Sequence, residues 1–189
     1  MMISNDTSNN KNALISLNER NLARVIGWIS VIDSKAKFIF SVILVVLGYS
    51  IIQIEPLTKT CTTLWENKVF TSAVVLVFLM IGTFVCLVVS FIYLVFIIYP
   101  RRKPYSGKSS YFYYESIARM PASDFKAKMS SISLTEAIDG LSDQTYNNAK
   151  VVKEKFDQLS VSAIWFLIAL GFLIFFSIFH QIVPKLYLT

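Results

Sequence analysis

Apolar residues in this chain are concentrated in three stretches that contain no charged side chain, at 38–54, 69–99 and 160–184. Each stretch reaches the roughly 17 to 25 residues that a helix needs to cross a hydrocarbon core about 30 Å thick. The first stretch begins too far from the N-terminus for a secretory signal peptide, so we expect it to be a retained anchor. The pattern therefore predicts three transmembrane helices.

A helical repeat of apolar residues precedes the first of these stretches. Between Leu14 and Ile32 the apolar positions recur at spacings typical of one face of an α-helix. Ser16 and Glu19 have the spacing of a capping box, which marks a helix start. The sequence thus predicts one continuous helix over residues 16–54, longer than a membrane requires.

The second span is followed by signals that interrupt helical structure. Pro100 is expected to end the helix, and residues 104–110 are rich in Pro, Gly and Ser, which is typical of a loop. A short helix is predicted to begin near Pro121 and to carry Phe125 and Met129.

A second long helix is predicted over residues 134–183. Ser133 and Glu136 repeat the capping-box spacing, and apolar residues then step by three and four into the third span. Such helices can bury their apolar cytoplasmic faces only against one another or against a second copy.

The predicted fold class is an all-α integral membrane protein with three transmembrane helices, two of them extended into a cytoplasmic helical head. The predicted segments are an amphipathic helix at 1–37, spans at 38–54, 69–99 and 161–183, an outer loop at 55–68, a helical sensor region at 100–160 and a C-terminal tail at 184–189.

Composition and charge agree with this organisation. Hydrophobic residues make up 54% of the chain and charged residues 16%, well below the roughly 25% charge of soluble domains. This balance excludes a soluble enzyme, a disordered tail and a secreted disulfide scaffold. Of 18 Lys and Arg, five precede the first span, two lie between the first and second, ten between the second and third, and one follows the third. The positive-inside rule then predicts a cytoplasmic N-terminus and a periplasmic C-terminus.

The residues needed for several kinds of chemistry are missing from the sequence. The spans contain no Asp, Glu, Lys or Arg, which argues against a proton relay, a voltage sensor or an ion-coupled carrier. The single histidine, His180, is expected to be a polar anchor near the outer surface. Without nucleotide-binding glycine loops or a cluster of metal ligands, we predict no catalytic residues, no metal, no cofactor and no enzymatic activity.

Asp33 and Lys35 lie where the first helix enters the membrane. In one interpretation Lys35 and Lys37 reach lipid headgroups while Asp33 is solvated. In the other, Asp33 and Lys35 face the head and meet a polar ligand or a polar partner on the third helix.

An aromatic run at residues 111–114 has two interpretations as well. It fits an interfacial anchor at headgroup depth, and it also fits a platform on which a base stacks beside cations. On the third helix Gln144, Tyr146, Asn148 and Lys155 could supply amide and cationic donors. Together these groups suggest a pocket for a small, anionic, aromatic ligand.

The chain resembles the membrane effectors of bacterial Pycsar anti-phage systems over residues 17–175. The resemblance is carried by Asp33-Ser34-Lys35-Ala36, by Tyr111-Phe112-Tyr113-Tyr114-Glu115-Ser116-Ile117-Ala118, and by Gln144 to Asn148 followed by Lys155-Phe156.

This resemblance implies a ligand, a set of partners and a location. The ligand would be cyclic CMP or cyclic UMP, made by a cognate nucleotide cyclase, and the effector would impair the inner membrane as a homo-oligomer in contact with lipid. Separately, we expect no binding of nucleic acid, because acids such as Asp33 and Glu115 reduce the excess positive charge of the cytoplasmic parts. The ligand-binding residues would be Asp33, Lys35, Phe112, Tyr113, Glu115, Gln144, Asn148 and Lys155.

Two alternatives belong to other classes. One is a non-enzymatic membrane scaffold or accessory subunit whose long helices dock cytoplasmic partners. The other is a membrane effector that responds to a different cyclic-nucleotide messenger.

Overall fold

The computed structural model describes residues 3–99 and 117–187. These residues are about 94% helical and include no strand, so the predicted all-α class is confirmed. The longer described helices are α1 (Ile3–Ile52), α2 (Ile54–Glu66), α3 (Phe70–Ile98), α4 (Ala122–Ser131) and α5 (Leu134–Tyr187).

Helix α1 begins 13 residues before the predicted start at residue 16 and ends two before the predicted end at residue 54. Its first turns contain neither Gly nor Pro, so no residue there prevents helix formation although the side chains are polar. The predicted capping box at Ser16 is therefore wrong. Ser16 Oγ instead donates to the carbonyl of Ala13 at 2.9 Å, as serines inside helices often do.

The connection between the first two spans is largely a helix rather than the predicted loop at 55–68. Helix α2 tolerates Pro56 because the first turn of a helix has no intrahelical acceptors for its N–H groups. Leu57 and Leu64 lie on one face of α2 and are buried. Lys68, with φ of 60°, is the left-handed residue that turns the chain into α3.

Helix α3 agrees with the predicted span of 69–99 to within one residue at each end. Tyr99 after it has extended backbone angles, φ −67° and ψ 122°, which is the conformation favoured before a proline. The sequence signal at Pro100 therefore located the end of this helix correctly.

Helices α4 and α5 also follow the sequence pattern. Helix α4 begins directly after Pro121, as predicted. The capping box that begins α5 is formed: the backbone N–H and Oγ of Ser133 both donate to Glu136 Oε2 at 2.9 Å, and the N–H of Glu136 donates to Ser133 Oγ at 3.2 Å. Helix α5 runs past the predicted end at residue 183 and includes Pro184 in its last turn.

The described residues form two compact units. Unit 1 contains residues 3–32 and 117–155, and unit 2 contains residues 33–99 and 156–187. The boundary between them falls inside α1 and inside α5.

The core of unit 2 is built on a heptad pattern. Eight of the ten buried residues of α3 alternate by three and four along the helix, and buried residues of α5 occur at positions of the same repeat. This spacing is typical of helices packed with left-handed, coiled-coil-like geometry. The α3 positions are Ala73, Leu76, Met80, Thr83, Leu87, Ser90, Leu94 and Ile97, and the α5 positions are Leu159, Ser162, Ala169, Leu173, Phe176 and Val183.

Unit 1 buries fewer side chains. Among its described residues, Ile32 of α1 and Leu141 of α5 are buried. A hydrogen bond from Asn18 Nδ2 to Ser142 Oγ, 3.1 Å long and exposed, joins the same two helices.

Three helical segments are long and apolar enough to cross a membrane, at Asn12–Glu66, Phe70–Ile98 and Leu134–Leu186. The predicted number of spans is confirmed in this sense. Many large apolar side chains in these segments are exposed, as expected for surfaces that face lipid rather than protein.

Candidate functional site

Three predicted ligand-binding residues share one face of α5 in unit 1. Gln144 and Asn148 are four residues apart, and Lys155 follows seven residues after Asn148, which is close to two full helical turns. All three side chains are half-buried. The face therefore presents two amides and one ammonium group along about 16 Å of helix.

The two amides have capacity for further hydrogen bonds. Neither Gln144 nor Asn148 is hydrogen-bonded through its side chain to any part of the chain that the structure describes. Each amide has both donors and an acceptor, the combination that reads the edge of a pyrimidine base or a ribose hydroxyl. Lys155 supplies positive charge on the same face, and its side chain already has an interaction within the protein.

Tyr146 does not join this face. It lies two residues from both Gln144 and Asn148, which turns it about 160° away on the helix. Its ring is 61% exposed and is covered by the ammonium group of Lys150, 4.3 Å from the ring centroid. The sequence interpretation that grouped Tyr146 with the amides is therefore wrong, because it counted neighbours in sequence rather than turns.

Asp33 and Lys35 belong to unit 2, whereas Gln144, Asn148 and Lys155 belong to unit 1. On α1 the two residues are separated by about 200° and point to different sides of the helix. Asp33 is half-buried and has an interaction within the protein, whereas Lys35 is exposed. The structure therefore brings together three of the predicted residues and does not unite Asp33 with Lys35.

The other three predicted residues, Phe112, Tyr113 and Glu115, lie outside the described residues, as do the aromatic run at 111–114 and the loop at 104–110.

The electrostatics at the start of α5 are fixed by its capping box. The hydrogen bonds that Glu136 accepts from the backbone and the side chain of Ser133 lower the pKa of this carboxyl from its ordinary value of 4.5. The carboxylate also lies at the positive end of the helix dipole, where negative charge is favoured. Glu136 is therefore ionised at neutral pH and helps to hold the N-terminus of the helix that carries the candidate face.

A pair of buried serines in unit 2 was not predicted from the sequence. Ser90 Oγ lies 2.8 Å from the carbonyl oxygen of Ser162 and 3.0 Å from its Oγ, and Ser162 Oγ donates to the carbonyl of Ser90 at 3.0 Å. Both residues are fully buried, and the bonds link α3 to α5. One turn before Ser162, Gln158 Oε1 is buried and accepts no hydrogen bond within the described part of the chain.

At the other end of unit 2, a polar contact involves the single histidine. His180 Nε2 lies 3.0 Å from Thr60 Oγ1, which connects α5 to α2, and its ring stacks on Phe176 at 5.5 Å. The described residues contain no cluster of three or more metal-ligating side chains, and His180 is placed as a packing and hydrogen-bonding residue.

Small polar residues at heptad positions were the signal that could have revealed the serine pair. Thr83 and Ser90 are seven residues apart in the mostly apolar α3, and small or hydroxyl side chains mark the places where membrane helices approach closely. A similar approach occurs at Gly82, where an added Cβ would lie 3.2 Å from the ring of Phe172.

The fold and the charge distribution define a class: an all-α membrane protein in which two long helices each combine an apolar span with a polar segment. Within that class the family is clear. The chain belongs to the Pycsar effector family, because the family model described as the Pycsar effector protein domain (PycTM) matches residues 17–181. The family prediction is confirmed, and membership supports an effector role in Pycsar anti-phage defence. Comparison with curated proteins and with solved structures found no match.

Proposed function

We propose that this chain senses a cyclic pyrimidine mononucleotide, cyclic CMP or cyclic UMP, and responds by impairing the integrity of the bacterial inner membrane. A nucleotide cyclase encoded beside the effector would supply the ligand. In this proposal the N-terminus and residues 100–160 are cytoplasmic and the C-terminus is periplasmic, which agrees with the distribution of Lys and Arg.

The observation that carries the sensing proposal is the shared face of Gln144, Asn148 and Lys155. A cyclic mononucleotide has one base, one ribose hydroxyl and one negative charge. Two amides with unused hydrogen-bonding capacity suit the base and the hydroxyl, and an ammonium group suits the phosphate. The aromatic residues Phe112 and Tyr113 are proposed to stack on the base, with Glu115 nearby.

Asp33 and Lys35, which belong to unit 2, stay predicted ligand-binding residues on the family resemblance alone. Both lie at the start of the apolar part of α1, a position from which a bound ligand could influence the adjoining span. The contributions of Asp33 and Lys35 to ligand binding can be tested separately, because the two side chains point to different sides of the helix.

The continuity of α5 supports the coupling of ligand to membrane. No Gly or Pro lies between Gln144 and Leu170, so the helix has no sequence feature that would let its two parts bend independently. A ligand that binds one arrangement of the head more tightly than another shifts the population toward that arrangement. The helix would then carry the shift into the apolar segment.

The membrane effect is proposed to be a lesion formed by several copies rather than an ion-selective channel or an enzymatic reaction. The three apolar stretches contain no Asp, Glu, Lys or Arg side chain, so copies of the chain could not form a ring of charges that selects an ion. The buried polar groups of unit 2 are hydroxyls and one amide, not groups arranged as nucleophile and base.

Calorimetric titration of the purified full-length protein tests the sensing proposal. We expect cyclic CMP or cyclic UMP to bind, and Lys155→Met to weaken binding roughly tenfold or more, because a charged hydrogen bond or ion pair to the phosphate is lost. Lys153→Met is the matched control, since Lys153 is exposed and lies about 160° away on the same helix.

Two outcomes would overturn this proposal. If neither cyclic pyrimidine nucleotide binds, the protein is not their sensor, and the scaffold alternative is favoured. If a different cyclic nucleotide binds more tightly than both, the effector belongs to another messenger.

A further inference from the structure

Helix α1 carries a second stripe of residues that is distinct from its buried one. The buried stripe contains Ile32, Ala36, Ile43 and Ser50. The second stripe also repeats every seven residues, but its members are exposed and mix apolar with cationic side chains. We call it the outer stripe of α1; its exposed members are Leu14, Leu17, Arg24, Trp28, Val31, Lys35 and Phe38, with Arg20 at its border.

Helix α5 has an exposed stripe of mixed charge before its apolar segment. It lies opposite the buried residues Leu141 and Leu159 and contains three carboxylates and two ammonium groups, an excess of one negative charge. We call it the outer stripe of α5; its members are Asp139, Asp143, Tyr146, Lys150, Lys153 and Asp157, all exposed.

Contacts inside unit 1 show which residues of the two outer stripes lie at the same height along the helix axes. The hydrogen bond between Asn18 and Ser142 places these two residues at the same height. As the first and third of three consecutive spans, α1 and α5 cross in the same direction. Counting along the helices, Arg20 and Asp143 are therefore level to within about one helical turn.

Contacts inside unit 2 give a second, independent comparison of heights along α1 and α5. The ring of Phe40 packs on Phe91 with centroids 5.5 Å apart, and Ser90 bonds Ser162. Counting residues through these contacts places Lys35 level with Asp157, again to within about one helical turn.

Among the described residues of one chain, these cations and carboxylates are not paired with one another. Arg20, Lys35, Asp143 and Asp157 are exposed, and none forms an ion pair with another described residue. A rotation axis along the membrane normal keeps every residue at its own height. In neighbouring copies related by such an axis, Arg20 would lie level with Asp143 and Lys35 with Asp157.

We infer that a second copy of this chain is the partner of the outer stripe of α1, and that it binds through its outer stripe of α5. The inference rests on the proposed function only in taking α1 and α5 as helices that cross the membrane. The two stripes are different surfaces, so the contact is heterologous. Repeated about an axis along the membrane normal, such a contact forms a ring where the rotation closes. By the same count, Arg24 of one copy lies near the level of Tyr146 of the next. The charge pairs fix the register.

Cross-linking between two tagged chains tests this contact directly. Both chains carry Cys61→Ser and Cys86→Ala to remove the free thiols. One also carries Arg20→Cys and the other Asp143→Cys, and membranes that contain both are treated with a short bismaleimide, because an ion pair holds the Cβ atoms too far apart for a disulfide. We expect a product that contains both tags. The matched control pairs Arg20→Cys with Lys153→Cys, which lies on the same stripe about 15 Å away, and should give little product.

Three results would overturn the inference. They are the absence of a two-tag product, equal yields from Asp143→Cys and the Lys153→Cys control, and a dominant product that joins two Arg20→Cys chains. The last would indicate a symmetric contact of α1 with α1.

Charge reversal provides a second test that does not depend on cysteines. We expect Arg20→Asp to reduce the fraction of assembled protein in native electrophoresis by roughly two- to fivefold, and Asp143→Arg in the same chain to restore it. If restoration fails, the proposed pair is wrong. Nucleotide titration of Arg20→Asp separates the two hypotheses, because its binding of cyclic CMP or cyclic UMP should persist even where assembly is lost.

Discussion

The two units of the protein differ in what holds their helices together. Unit 2 buries apolar side chains at successive heptad positions, such as Leu76 and Phe176, and closes the contact of α3 with α5 by reciprocal serine hydrogen bonds. In unit 1 the described residues include two buried side chains, Ile32 and Leu141, and its contacts include an exposed hydrogen bond at Asn18 and the capping box of α5.

This difference fits a division between a part that responds and a part that transmits. Regions with few buried contacts and exposed hydrogen bonds open at low free-energy cost, and ligand-binding elements are drawn from such regions. The candidate face of Gln144, Asn148 and Lys155 lies in unit 1. Tight packing in unit 2 would keep α3 and α5 together when the head changes.

The largest predicted effect tests the apolar core of unit 2. Phe176 is 1% exposed and Phe175 is 67% exposed, so adjacent residues of one size provide a matched pair. Phe176→Ala should lower the free energy of unfolding by about 3 to 5 kcal/mol, because a cavity remains where the ring was. Unfolding of the detergent-solubilised protein should show a change well below this for Phe175→Ala. Equal effects of the two substitutions would contradict the assigned core.

A smaller effect is expected from the serine pair. Ser90→Ala should cost about 1 kcal/mol, the order found for hydrogen bonds between membrane helices. Adding Ser162→Ala should cost less than a second independent loss, because each substitution removes bonds that the pair shares. Ser160→Ala is the control, since its exposed hydroxyl bonds only the carbonyl of Phe156 in its own helix. Strict additivity would show that the two serines do not interact.

The capping box tests unit 1 through an effect of similar size that is confined to one helical turn. Ser133→Ala removes the side-chain cap and should destabilise the start of α5 by about 1 kcal/mol. The expected readout is faster amide hydrogen exchange in the first turn of α5, with α3 unchanged. Ser130→Ala, which removes a hydroxyl bonded only to Ala127 within α4, should leave that turn protected. If Ser133→Ala increases amide exchange in α3 by the same amount, unit 1 and unit 2 do not unfold independently of each other.

The pH dependence of the same turn is the finest test. The pKa of Glu136 is lower in the folded protein than its ordinary value of 4.5, so its carboxylate favours the folded helix. This contribution is complete above the ordinary pKa and is lost as the pH falls through the lowered value. Amide hydrogen exchange in the first turn of α5 should therefore be faster than the intrinsic pH dependence of exchange predicts, but only under acidic conditions. Glu136→Gln should remove this additional exchange. An excess that survives in Glu136→Gln would assign it to another group.

Helix positions were predictable wherever the sequence contains a strong local signal. Pro100 set the end of α3, and Ser133 with Glu136 set the start of α5. Helix α2 was missed although Leu57 and Leu64 have helical spacing, because its threonines and Pro56 are typical of loops and its burial depends on packing against α3.

The candidate site was only partly predictable for a related reason. Spacing along one helix placed Gln144, Asn148 and Lys155 on a common face, since helical geometry alone decides this. The contact of Ser90 with Ser162 joins residues 72 positions apart. No local sequence pattern predicts which of the apolar helices pack against each other. Pairings between helices depend on packing, and a single sequence carries little of that information.

Release of a trapped dye from vesicles tests the central claim most directly. The purified protein is reconstituted into lipid vesicles loaded with dye, and cyclic CMP or cyclic UMP is added with cyclic AMP as the control. The proposed function predicts that one pyrimidine nucleotide triggers release and that Lys155→Met requires a higher concentration for the same release. Binding of the nucleotide without any release would contradict the coupling of the sensing face to the membrane part.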